Sequence, residues 1–424
     1  MEAWKSLQLN GNFQKPLLNQ YVTKLYKLAD LFIGTKLLKE DKYLLSIPKG
    51  DYYLFKKNSK YFTEQTHRDF TTTFKKQSKH PVTDFYAHYH IELMLLNLFS
   101  ANIATRKRSE QKLITNQALD HYYIIEKLRL ITVAEHQAIL ENTTSESMPM
   151  TQEVVAFATK ELANLPLLGQ LWYHAYQLTL APASLETYTK LKSFWLNHLS
   201  AFSVNDNLAI HATLHLAIKA VYPNDRRKSN EEYFEGQLIL IKNQWLVKQG
   251  LMQSRSFGNM VYLGISQGEL KWVKAFIKSH INYIAVEVRE QVKQFNLARL
   301  YFAEGKHNEA LRLTADLHAP DVAISIGIKR LRIKIFYEQD RFDLLEATAN
   351  SFRVFLHRIT GVRPVYKSAH IAFVQNLMAL YRIKIGDKGL NELLALKATF
   401  TPANGIPEYD WLYEKIEELE EAYA

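Results

Sequence analysis

The chain contains no cysteine. That absence excludes disulfides, cysteine nucleophiles and thiolate metal sites together, and it fits a reducing compartment. Glycine and proline are sparse, 15 and 11 in 424 residues, which leaves long stretches free of helix breakers. The longest uncharged run, residues 162–185, is interrupted by Pro166, Gly169, Gln170, His174, Gln177 and Pro182. It reads as a buried helix and its turn rather than as a membrane span. The opening residues MEAWKSLQLNGNFQK have no apolar core and so do not resemble a signal peptide. The expectation is a cytoplasmic protein that does not enter a membrane.

Catalytic signatures are missing as well. No glycine-rich phosphate loop follows a strand, and no Gly-Xaa-Ser-Xaa-Gly elbow is present. His211 and His215 stand four apart, but Ala212 occupies the position where a zinc protease needs its glutamate base. Asp84, His88 and Glu92 fall at i, i+4 and i+8 with His90 nearby, a spacing that serves a carboxylate-oriented histidine or equally the wet side of an amphipathic helix. The wet side is the expectation. The sequence therefore predicts no enzyme, no cofactor and no metal, with the reservation that residues gathered from distant segments leave no local pattern.

What the chain does have is a helix–turn–helix pattern in residues 296–310, NLARLYFAEGKHNEA. Leu297, Ala298, Leu300 and Tyr301 form one stripe of a first helix. Ala298 is small where a neighbouring helix must come close. Gly305 stands where the helix must stop and the chain reverse. Glu309, Ala310, Leu311 and Leu313 begin a second helix, and Pro320 lies beyond its expected end. This order of small, large, glycine and alanine resembles the tetratricopeptide repeat, over about one unit of about 34 residues. The chain as a whole is similar to bacterial helical-repeat proteins without an assigned function.

A single repeat cannot bury its own apolar face, so neighbours are required. Ile333, Phe336, Asp340, Phe342 and Leu345 repeat the pattern downstream, with Asp340 in place of the glycine. Gly268, Trp272 and Ala275 form an upstream version, and Ala379 with Gly386 a later one, after a break at Gly361 and Pro364. The 24 tyrosines and 22 phenylalanines fit packing between such helices. The resulting expectation is an all-α, right-handed, irregular tetratricopeptide-like solenoid over 153–424. The polar segment 141–152 separates it from a helical region or cap over 1–140.

Charge is the remaining signal. The net charge is +10, yet residues 408–424 hold seven acids against Lys415, a balance of −6, which leaves +16 for the rest. The basic residues cluster at 56–60, 75–79, 106–108, 226–228 and 329–334. Clusters of this kind attract acidic partners or phosphate backbones. In tetratricopeptide-like repeats the first helix of each pair lines the concave groove. The resemblance then implies that Phe295, Arg299 and Phe302, with Arg330, Lys334 and Tyr337 of the next unit, face that groove. It further implies that Asn296 corresponds to an asparagine that holds a bound peptide. A scaffold binding an acidic or C-terminal peptide is the leading expectation, and a nucleic-acid-binding helical repeat is the alternative. Oligomeric state is left open. The acidic segment WLYEKIEELEEAY is expected to cap the last repeat. The other placement open to it is a basic groove, as an inhibitory or oligomerising element.

Overall fold

The computed structural model describes residues 15–423 apart from 78, 103–104, 142, 146–147, 181–182, 224, 316, 318–321 and 401–404. Most of the amino-terminal stretch assessed as a leader, together with Pro182 and Pro320, lies outside the described residues. Among the described residues the chain is all-α but for one short hairpin, Val247–Lys248 paired antiparallel with Leu251–Met252. No helix among the described residues is long and apolar enough to cross a membrane. The helices gather into two units, Met1–Val221 and Tyr222–Ala424. The polar segment 141–152 lies within the first.

The first unit runs through α1 (Lys15–Glu40), α2 (Lys42–Phe55), α3 (Arg68–Lys76), α4 (Val82–Asn102) and α5 (Thr105–Glu141). It continues through α6 (Thr151–Lys160), α7 (Leu167–Thr179), α8 (Leu185–Asn197) and α9 (Val204–Val221). Helix α4 buries Ala87, Ile91, Met94 and Leu95 at helical spacing, and this stripe packs with Tyr43, Phe62 and Phe70. The uncharged run becomes α7, whose Leu171, Trp172 and Ala175 are buried, followed by a fresh start at α8. Ser184 and Thr187 cap that start reciprocally.

In the second unit, helix follows helix at short intervals: α10 (Arg226–Lys242), α11 (Ser254–Ser266), α12 (Leu270–His280), α13 (Val286–Ala303), α14 (His307–Ala315), α15 (Val322–Glu338), α16 (Phe342–Arg358), α17 (Pro364–Lys384), α18 (Leu390–Thr399) and α19 (Tyr409–Tyr423). Neighbours in sequence pack on each other, and α13 also touches α11 and α15. One turn recurs along this series. After α10, α11, α13, α15 and α17 a single residue takes positive φ: Gln244, Gly268, Gly305, Asp340 and Gly386. Each time the following amide bonds the carbonyl five residues back, as in Lys306 N to Tyr301 O at 2.8 Å and Arg341 N to Phe336 O at 3.0 Å. This is the Schellman closure, which favours glycine because a Cβ is strained there. Asp340 does occupy the glycine's place.

Two other glycines matter for close approach. Gly264 lies beneath Val273 and Trp272, and Gly327 of α15 lies beneath the ring of Phe295 on α13. A Cβ at 327 collides with that ring, so Gly327→Ala should lower the unfolding free energy by about 1–3 kcal/mol. Urea titration of Gly327→Ala in wild-type and Phe295→Leu backgrounds checks this, since the smaller side chain should recover part of the loss.

Candidate recognition site

Helix α13 carries Phe295, Asn296, Arg299 and Phe302, and α15 carries Arg330, Lys334 and Tyr337. The two helices pack together, so the spacing three and four apart on each brings a strip of cations and rings to one place. Arg299 donates through Nη1 to the Gly258 carbonyl at 2.8 Å and to Asn296 Oδ1 at 3.1 Å. Its guanidinium lies over Tyr262 and Phe295, 5.6 Å from each ring centre. Asn296 is buried and donates to the Val292 carbonyl at 2.8 Å, so its amide orients Arg299. Tyr337 is buried in the core cluster with Tyr381 and Phe373, and Phe295 packs on Gly327. Arg299, Phe302, Arg330 and Lys334 are brought together, while Asn296 and Tyr337 support them from inside.

The acidic C-terminal segment completes the strip. Glu408, at the head of α19, accepts from Arg330 Nε at 2.9 Å and from Lys334 Nζ at 2.7 Å. Lys334 is also stacked between rings, 4.5 Å from the centre of Phe302 and 4.8 Å from that of Trp411. Trp411 Nε1 donates to Glu338 Oε1 at 2.8 Å, and Glu338 in turn holds Lys415 at 3.1 Å. Asp410 pairs with Arg226 at 2.8 Å, and that guanidinium lies over Tyr409. Behind these polar contacts Leu412 and Ile416 are fully buried in the core cluster. One helix thus carries both the apolar packing and the ion pairs. Glu408 and Trp411 belong to the site although neither stood among the candidate residues; the signal was the opposition of an acidic terminus to a basic remainder.

The electrostatics of the cluster are lopsided. Burial alone would raise the Glu408 carboxyl, but Lys334, Arg330 and Arg299 together hold it well below the usual carboxylate range. Lys334 moves the other way from a paired lysine. Burial lowers it, as do Arg330 and Arg299, against the pull of Glu408. The carboxylate meets three cations, whereas the ammonium meets one carboxylate and two cations. Arg299 is likewise lowered to about 10, by burial first and by Arg330, with Glu408 opposing. Glu408 also sits at a φ of 58°, a left-handed conformation that costs a non-glycine residue about 1 kcal/mol.

Comparison with known proteins finds no matching family model, no matching curated protein and no matching solved structure.

The other polar constellation lies in the first unit and differs from its expectation. Asp84 and Glu92 are not on a wet face; they are 2% and 3% exposed. Each is drawn inside by partners from other elements or loops. Asp84 accepts from His80 at 3.1 Å. Glu92 accepts from His67 at 3.2 Å and Gln111 at 2.7 Å, and His88 lies 3.4 Å away. Burial opposes ionisation of Glu92, but the hydrogen bonds from His67 and His88 keep its carboxyl well below the ordinary range. His90 instead contacts Tyr86 and Tyr89. Among the described residues no group of three or more histidines and carboxylates is arranged to hold a metal. His211 is buried in α9, and desolvation followed by the charge of His215 lowers it to about 4.

Removing the Glu408 charge should be expensive because it strands Lys334 and Arg330. Glu408→Gln is expected to lose about 3 kcal/mol near neutral pH. The folded-state carboxyl is depressed, so its contribution is present above the unfolded value of about 4.3 and fades as pH falls below it. Urea titrations of wild type and Glu408→Gln should therefore differ most near neutrality and converge in acid. A gap that stays constant with pH excludes the ion pair as its source.

Proposed function

We propose that the second unit is a right-handed tetratricopeptide-like solenoid and that the protein is a non-catalytic cytoplasmic scaffold. Its basic, aromatic strip recognises an acidic segment of a protein partner. The observation that carries this reading is Lys334, whose ammonium is held between the carboxylate of Glu408 and the faces of Phe302 and Trp411. A carboxylate followed three residues later by an indole is thus a ligand pattern the strip accommodates within its own chain. Arginine, tryptophan and phenylalanine at a desolvated centre are the composition of binding hot spots. The repeated Schellman turns at 268, 305, 340 and 386 support the repeat architecture, and the pairing of helices supports a surface built from successive first helices.

The nucleic-acid alternative is less well supported. Two of the five basic clusters are engaged internally, Arg226 with Asp410 and Arg330 and Lys334 with Glu408. They are thus partly neutralised as a stripe for a phosphate backbone.

The test is a fluorescence anisotropy titration of the full chain with a labelled acidic peptide carrying the Glu-Xaa-Xaa-Trp pattern, beside a lysine-substituted control and a single-stranded RNA. Saturable binding of the acidic peptide is expected. It should weaken with salt and drop about tenfold or more in Arg330→Glu, whose helicity is confirmed by circular dichroism. An unchanged Kd in that variant, or preference for the RNA, would sink the proposal.

A further inference from the structure

We infer that the Arg299–Arg330–Lys334 cluster binds an oxyanion from outside the chain, which joins Glu408 there rather than replacing it. The starting point is an imbalance of buried charge. Each oxygen of Glu408 is engaged by one cation, Arg330 or Lys334, and Glu408 acts on Arg299 through its charge without a direct contact. The next acid along, Asp410, is engaged by Arg226. Among the described residues no carboxylate lies within salt-bridge distance of Arg299, and its two hydrogen bonds both leave through Nη1, to neutral oxygens. A guanidinium enclosed by Tyr262, Phe295 and the 258 backbone without a carboxylate of its own is a costly arrangement, because an arginine cannot relieve it by giving up its proton.

Two further features point outward from this imbalance. Arg299, Arg330 and Glu408 all keep part of their surface exposed, so the cluster is not sealed from solvent. His370, 3% exposed, has a ring Nδ1 with no hydrogen-bond partner, and Arg330 and Glu408 are the charges that act on it. The cluster therefore offers spare guanidinium donors and a surplus of two positive charges. A carboxylate or a phosphate fits, since each presents two oxygens to a guanidinium fork. The anion site stands on this geometry. Only its source in a partner, a peptide carboxylate rather than a free phosphate, rests on the recognition reading above.

The experiment measures thermal unfolding of the full-length protein in phosphate, in sulfate and in chloride at matched ionic strength. Calorimetric titration of phosphate follows, for wild type, Arg299→Gln and Glu408→Gln. The oxyanions should stabilise wild type beyond chloride, and by more than they stabilise Arg299→Gln, which separates a site from the general stabilisation that sulfate and phosphate give by exclusion from the surface. Arg299→Gln should weaken phosphate by about tenfold, and Glu408→Gln should strengthen it, because removing the resident carboxylate enlarges the surplus. A merely structural role for these residues does not give opposite signs. Equal melting temperatures in phosphate, sulfate and chloride for wild type overturn the site even if a variant fails to fold. A second arm adds short peptides with a free or an amidated C-terminus. Displacement of phosphate by the free carboxylate assigns the anion to a partner. Phosphate binding that no peptide displaces keeps the site and detaches it from the recognition reading. Acidic-peptide binding that ignores phosphate and survives Arg299→Gln overturns the oxyanion site while leaving that reading in place.

Discussion

The second unit turns on one carboxylate. Glu408 is the point where the acidic terminus meets the basic remainder, and three cations face it. A buried ion pair of this kind adds little net stability compared with a well-packed apolar substitute, because both charges must be desolvated. Its force is in what it forbids. If α19 slid by one turn, Glu408 would leave Lys334 and Arg330 buried without a partner, and Trp411 would leave Glu338. Leu412 and Ile416 supply the burial that makes the helix stay. The polar contacts decide where it stays. The left-handed backbone at Glu408 fits the same division: packing on one side and the ion pair on the other over-determine a conformation that the residue would not choose alone.

Much of this architecture was legible in the sequence, for a local reason. A helix that ends in a Schellman turn needs one residue at positive φ, and glycine marks it at 268, 305 and 386. Asp340 marks it less strongly, since a short polar side chain tolerates that backbone. Gln244 and Lys57 adopt the same geometry with no such marker, so those two turns left no trace in composition. Arg299, Phe302, Arg330 and Lys334 were singled out through the resemblance to a tetratricopeptide repeat, and the structure brings them together. Tyr337 stood on the same reading, but periodicity cannot distinguish the face turned to a groove from the face turned to the next helix. Tyr381 and Trp411 enclose it.

What was not legible depends on long separations. Glu408 is 74 residues from Lys334, and nothing near either position announces the other. Glu92 meets His67 from 25 residues away and Gln111 from 19, so a helix face that looked wet by its spacing is in fact closed. A polar residue on a helix is read as exposed because burial usually costs too much. That inference fails wherever partners arrive from elsewhere in the fold.

Glu92 and Glu408 are balanced by neighbours of different chemistry. Glu92 is surrounded by His67, His88 and the amide of Gln111. Glu408 is surrounded by two guanidiniums and an ammonium. The guanidiniums keep their charge at any physiological pH, and burial has already pressed Lys334 in the direction of losing its own. The nearby acids Asp410 and Glu338 are held by Arg226 and Lys415. Arg299, facing the pair without a carboxylate of its own, is held by the Gly258 carbonyl, by Asn296 and by the rings of Tyr262 and Phe295, and so ties α13 to α11.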